Sequence, residues 1–326
     1  MHILVSGASG MLGNKLARRL MREGKLGARP ITRLTLTDIV PPKEPAADGS
    51  SEFVRADFAK GEEVRDLVKE GPDVIFHLGA IVSGEAEREF EKGLHVNLMG
   101  GLNLFEAIRT VGQTRRYTPK VIFSSSIAVF GPPFPDTIDQ DTALTPRTSY
   151  GTQKAALELL LSDYSRRGFL DGIGLRLPTI CIRPGAPNAA LSGFFSSILR
   201  EPLIGEEAVL PVPDTTRHWM TGPRSAIEFF LHAATLDTAA LGAARNLNMP
   251  GLSVSVAEQI EALRDIAGDA AVRRIKYEPD PEVARVVETW PWEFDDRFAL
   301  SLGFRKQASV REIIRAHIED ELGGGL

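Results

Sequence analysis

The chain has 326 residues, of which 43% are apolar and 25% charged; this excludes a disordered chain and leaves ample material for a core without covalent staples. Lys and Arg number 38 against 43 Asp and Glu, a net charge of −5, so no basic face for nucleic acid is expected. The one cysteine, Cys181, excludes an intrachain disulfide and, with six scattered histidines, a zinc cluster.

No apolar run approaches the ~20 residues of a membrane span, and the N-terminus lacks the basic region and apolar length of a signal peptide. The expectation is a cytoplasmic enzyme with no metal, nucleic-acid or membrane partner.

In the first half, short apolar runs alternate with amphipathic stretches, the pattern of repeated βαβ units. Ile3–Ser6 reads as a buried strand and Met11–Arg22 as a helix with Leu12, Leu16 and Leu20 on one face. Strands follow at Leu34–Thr37, Phe53–Ala56 and Val74–His77, with a helix around Val64–Val68 between the last two. A long helix is expected over Glu85–Arg109, then a strand at Val121–Ser124, a helix at Ser149–Arg167 and a strand from Gly174 to Leu177.

Pro41 to Gly49 reads as a turn-rich surface loop. Beyond Leu177 the rhythm is lost, and helices are expected only near Pro223–Ala234, Val256–Ala267 and Val310–Glu321. The expected fold class is α/β, a doubly wound parallel sheet over 1–177 with a smaller lobe over 178–326, some of whose segments return to the sheet.

Gly7-Ala8-Ser9-Gly10-Met11-Leu12-Gly13 follows the first strand and opens the first helix. Glycine is needed there because a side chain would block close approach of the backbone to a pyrophosphate, and the helix start adds N–H donors and a positive dipole end. Asp38 ends the second strand 25 residues after Gly13, where a carboxylate can accept from both adenosine ribose hydroxyls and repels a 2′-phosphate. The pattern points to a Rossmann-type site for NAD rather than NADP.

Tyr150 and Lys154 stand at i and i+4, one helical turn apart on one face. A nearby ammonium stabilises phenolate, which makes Tyr150 a candidate general base. Upstream, Ser124-Ser125-Ser126 closes an apolar strand, and strand ends in open α/β sheets face the ligand crevice.

These residues, with Phe76-His77-Leu78-Gly79-Ala80 and Asn97, resemble the extended short-chain dehydrogenase/reductase superfamily, over the N-terminal half and on to Leu175-Arg176-Leu177-Pro178. The resemblance implies that Ser126 takes the catalytic serine position, with Ser125 a close competitor, that Tyr150 transfers the proton, and that Lys154 activates it. It places Asp57 and Phe58 beside adenine and Leu78, Gly79, Ala80, Asn97, Ser124 and Pro178 near the cofactor. Gly79 departs from the alanine more usual at its position. A homodimer built on the helices Glu85–Arg109 and Ser149–Arg167 is the superfamily default.

Within the superfamily, Thr179 occupies the place where sugar-nucleotide enzymes generally carry an Asn. Longer stretches, among them Asp163-Tyr-Ser-Arg-Arg-Gly-Phe-Leu-Asp-Gly172 and Arg183-Pro-Gly-Ala-Pro-Asn-Ala189, resemble the D-erythronate dehydrogenases. That resemblance implies NAD-dependent oxidation of the C2 hydroxyl of a small sugar acid. Candidates for holding the substrate are Ser83, Ser125, Ser126, Tyr150 and Thr179, with Arg183, Asn188 or Arg217 as donors to its carboxylate. An L-threonine 3-dehydrogenase, a sugar-nucleotide epimerase and a non-catalytic dinucleotide sensor are the alternatives.

Overall fold

A computed structural model of the protein describes residues 1–42, 51–185 and 191–325. The loop expected from Pro41 to Gly49 therefore lies, from residue 43 on, outside the described residues.

The main sheet is built from β1 (His2–Ser6), β2 (Arg33–Asp38), β3 (Glu52–Arg55), β4 (Val74–His77), β5 (Lys120–Ser126), β6 (Asp171–Leu177) and β7 (Asn246–Asn248). Their spatial order is β7-β6-β5-β4-β1-β2-β3. The pairs β1/β2, β1/β4, β2/β3 and β4/β5 are all parallel, as the α/β reading requires. Chain order reverses between β1 and β4, so their C-terminal ends flank the point where doubly wound sheets bind ligands.

The strands run as near-continuous apolar stretches because both faces are covered. Helices α1 (Met11–Glu23), α2 (Gly61–Lys69), α3 (Gly100–Thr114) and α4 (Ser149–Arg166) supply that cover. One core joins Val64, Leu67, Leu104, Phe105, Ile108, Leu157 and Leu161 of the helices to Ile75, Val121 and Phe123 of the strands. Each such side chain, fully buried, contributes roughly 1.5–3 kcal/mol.

The long helix expected over Glu85–Arg109 is not continuous. Short helices at Ser83–Arg88 and Phe90–Gly93 are separated by Glu89 at φ −115°, ψ 70°, and a π-helical turn over Leu94–Met99 precedes α3. The π turn carries Asn97, which is buried and braces neighbouring elements; a tertiary demand of this kind overrides the local helical pattern. Strand β5 also runs two residues further than expected, to Ser126.

Contacts gather the chain into two compact units, one of Met1–Val129, Thr148–Arg176 and Ile227–Leu247, the other of Phe130–Arg147, Leu177–Ala226 and Asn248–Leu326. The second unit has its own core, in which Phe195, Ile198 and Leu199 of the helix Phe194–Leu203 meet Leu263, Ile313 and Ile314. Its three-stranded sheet joins Leu252–Ser255, Arg217–Thr221 and Thr179–Ile180. The helix expected to end at Ala267 continues to Val272 across a kink at Gly268, where φ is 76°. No helix among the described residues is long and apolar enough to cross a membrane.

Candidate active site

At the end of β1 the chain turns through Gly7 at φ +72°, a conformation that favours glycine. A Cβ at Gly7 would sit 2.6 Å from Gly79 N, and one at Gly13 would sit 2.0 Å from Gly7 O. The loops after β1 and β4 can therefore meet only because Gly7 lacks a side chain, and the start of α1 can close on the turn at Gly7 only because Gly13 lacks one. Gly10 caps α1 with no side-chain hydrogen bond, so the first N–H groups of the helix, which have no intrahelical partner, are left for a ligand. A Cβ at Gly10 would meet nothing nearer than Gly7 O at 3.3 Å.

Asp38 ends β2 beside this loop. Its carboxylate accepts from Ser9 N at 3.0 Å and Ile39 N at 2.8 Å, one bond per oxygen, so each oxygen keeps a lone pair for a further donor. Ser9 Oγ donates to Val40 O at 2.6 Å. Ile39 and Val40 expose more than half of their surface next to the carboxylate. Bare helix N–H groups, a glycine cradle, a fixed carboxylate and adjoining apolar surface fit a dinucleotide.

Deeper in, Ser6 Oγ hydrogen-bonds His77 Nδ1 at 2.8 Å and tethers the ends of β1 and β4. His77 is stacked between Phe58, at 5.3 Å, and Phe123, at 6.1 Å, and burial lowers its pKa to about 3, so it is neutral. Phe58 is thus turned onto His77, while the Asp57 carboxylate accepts from Ala59 N at 2.9 Å. Leu78, Gly79 and Ala80 continue from β4 with rising exposure. A Cβ at Gly79 would meet nothing nearer than 3.5 Å, so the departure from alanine changes no packing.

The other end of the edge is made by β5 and α4. The Thr148 side chain accepts from Gly151 N and caps α4, fixing the helix start so that Tyr150 falls in its first turn. Lys154, one turn later, is 2% exposed. Its Nζ donates to Ser124 O at 2.8 Å and lies 5.6 Å from the Tyr150 ring centroid and 4.8 Å from that of Phe123. Burial pulls its pKa down to about 7, against the opposing charge of Glu158.

The structure separates the neighbouring serines. Ser125 is 2% exposed and donates to Glu158, so its hydroxyl is committed to the interior. Ser126 is half-buried, and its Oγ accepts from Ala128 N at 3.2 Å. Asn97 spends its side chain inside the protein: Oδ1 accepts from Ile81 N, and Nδ2 donates to Ile81 O and Gln153 Oε1. Ser83 opens the helix that follows β4.

Pro178, Thr179, Arg183 and Arg217 belong to the second unit. Pro178 is buried. Thr179 Oγ1 hydrogen-bonds His218 Nε2 at 2.6 Å. His218 stacks on Phe195 at 5.0 Å and lies 5.3 Å from Trp290, and its pKa falls to about 3 through burial and then through Arg183. Arg183 donates to Ile180 O and Ser192 Oγ. Arg217 is exposed and engaged by Ser253 O and Glu258. Asn188 lies outside the described residues.

Glu158, Arg176 and Gln153 were not among the candidates. All three are buried. Arg176 interrupts an otherwise apolar strand end, a mismatch visible in the sequence, whereas Gln153 and Glu158 lie on a helix of mixed composition that offers no such signal.

Residues 3–221 match the model of the NAD dependent epimerase/dehydratase family. The chain belongs to this family. NAD is the cofactor that goes with it, in keeping with the cradle at Gly7–Gly13.

Among its relatives in this family is the D-erythronate dehydrogenase of Cupriavidus necator, 45% identical over 324 residues, covering 98% of each chain. The D-erythronate dehydrogenase of Haemophilus influenzae is 40% identical, over 99% of this chain and 100% of its own. A crystal structure described as a nucleoside-diphosphate-sugar epimerase from Agrobacterium tumefaciens superposes with a TM-score of 0.97 at 56% identity, covering 100% of this chain and 95% of that one. A monomeric L-threonine 3-dehydrogenase from a metagenome, at 23% identity and a TM-score of 0.85 over 99% and 100% of the two chains, shares the fold.

Proposed function

We propose that the protein is an oxidoreductase that converts the C2 hydroxyl of D-erythronate to a ketone, giving 2-oxo-tetronate, in the catabolism of four-carbon sugar acids. The observation that carries the reading is the placement of Ser126 at the end of β5 with Tyr150 and Lys154 on the first turns of α4, on the same unit as the glycine cradle. Two relatives that span the chain and bear the name D-erythronate dehydrogenase support the substrate.

In this reading the first-turn N–H groups of α1 hold the pyrophosphate and Asp38 holds the adenosine ribose. When bound, NAD supplies the acceptor for the hydride that leaves C2. Tyr150, as phenolate, takes the proton of the C2 hydroxyl; Ser126 donates a hydrogen bond to the same oxygen; Lys154, when protonated, stabilises the phenolate charge. The Phe123 ring and neutral, buried His77 line the lysine's surroundings.

A second reading, epimerisation of a nucleoside-diphosphate sugar, is favoured by the description of the 56% identical structure. Against it stands Thr179 where sugar-nucleotide enzymes generally carry an Asn. One assay separates the two: NADH appearance with NAD and a panel of D-erythronate, L-erythronate, both threonates, L-threonine and UDP-glucose. Turnover of D-erythronate with NAD, lost in Tyr150→Phe, is the expected result. Epimerised UDP-glucose with no NADH from any acid would sink the proposal, and activity on L-threonine alone would move the substrate to the amino acids.

A further inference from the structure

The buried face of α4 carries a charge that the roles above do not use. Glu158 lies one turn beyond Lys154 and two beyond Tyr150, and is 1% exposed. Its carboxylate accepts from Ser125 Oγ on β5 and from Arg176 on β6, by Nε at 3.0 Å and Nη2 at 2.8 Å. Its main-chain carbonyl accepts from Asn246 Nδ2 on β7 at 3.1 Å. A single helix residue is thus tied to three adjacent strands. On β5 the tie falls at Ser125, directly before Ser126, while the Lys154 ammonium holds the carbonyl of Ser124. The residue that presents the reactive hydroxyl is therefore preceded by two residues gripped from α4.

We propose that Glu158 is a positioning residue for the reaction: it locks the end of β5, and with it Ser126, to the helix that carries Tyr150 and Lys154, and it supplies the negative charge that faces the lysine. The proposal rests on the roles given above to Ser126, Tyr150 and Lys154. The surroundings of Lys154 assign the charge role to this carboxylate. From β4 comes His77, neutral through burial. From β5 come the Ser124 carbonyl and the Phe123 ring. From α4 come the Tyr150 ring and Glu158. Arg176 on β6 is paired with Glu158. Burial drives the lysine toward its neutral form, and the attraction of Glu158 works against that.

The test follows the lysine directly. In the full chain without substrate or cofactor, the 13Cε resonance of Lys154, assigned by its loss in Lys154→Met, is titrated by NMR. Glu158→Gln is expected to lower its midpoint by about one pH unit. Ser125→Ala is expected to leave the midpoint in place but to lower kcat about tenfold with little change in KM, through a misplaced Ser126. Glu158→Asp, which keeps the charge on a shorter arm, is expected to return the midpoint but not kcat.

A folded Glu158→Gln with the parent's midpoint would overturn the charge role. Ser125→Ala with the parent's kcat would overturn the positioning role, and that arm decides should Glu158→Gln fail to fold. Full activity in Tyr150→Phe would instead overturn the catalytic reading, whatever the lysine's midpoint does.

Discussion

At the C-terminal edge of the sheet, the loop after β1 presents backbone, whereas the end of β5 and the start of α4 present side chains. The first region is shaped by what is missing: no Cβ at Gly7 or Gly13, no capping side chain on α1. The second is shaped by buried polar groups that hold one another, Lys154 on Ser124 O and Glu158 between Ser125 and Arg176. A backbone cradle needs close approach and little else, and it tolerates no added atom at Gly7 or Gly13. A side-chain site needs its supports to be charged and out of water, which makes it sensitive to single losses and to pH.

Four experiments press on that contrast. Tyr150→Phe removes the proton acceptor alone, and kcat/KM is expected to fall on the order of 10³-fold while the unfolding free energy moves by less than about 1 kcal/mol; steady-state kinetics and a denaturant melt check both.

Arg176→Met leaves the Glu158 charge buried and unpaired, and denaturant unfolding is expected to register a loss of about 3–5 kcal/mol. The double variant with Glu158→Met should regain most of it, because two well-packed apolar chains replace the pair.

On the backbone side, Gly13→Ala forces a Cβ to within 2.0 Å of Gly7 O, and about 1–3 kcal/mol of stability should be lost together with NAD affinity. Gly79→Ala, where the nearest atom is 3.5 Å away, should change neither. NAD titration of both variants sharpens the comparison, and equal losses would break it.

The last effect is gradual and accumulates with pH. Lys154 releases its proton near 7 in the native protein and near ~10.4 in the unfolded chain. Between those values the unfolded state binds more protons, so this group makes stability rise with pH across that window, by at most about 1.4 kcal/mol per pH unit. Lys154→Met should flatten that slope in melts run from pH 7 to 10.

Much of the edge was legible from residue order. The glycines and Asp38 are dictated by backbone geometry that recurs with the strand–turn–helix unit, and the i, i+4 spacing of Tyr150 and Lys154 needs only a helix. The supports were not legible. Glu158 and Arg176 find each other 18 residues apart across α4 and β6, and no local periodicity marks that pairing. The π turn around Asn97 is hidden for a related reason: the helical pattern is intact, and the ties that Asn97 makes are hydrogen bonds to the distant Ile81 and Gln153. Strand β7 is a three-residue Asn-Leu-Asn segment whose polar composition gave no strand signal, although Asn246 spends its amide on Glu158 O and Ser162 Oγ.

The lone thiol of the chain lies in the second unit with no exposed surface. Cys181 Sγ donates to Phe195 O at 3.3 Å and accepts from Gln259 Nε2 at 3.7 Å, and burial pushes its pKa up to about 12. In the folded state it is therefore unreactive toward alkylating and disulfide-exchange reagents. Any labelling must come from molecules in which that unit has opened, so a chromophoric thiol reagent counts openings of this half of the protein one by one, with no other sulfhydryl to obscure the signal.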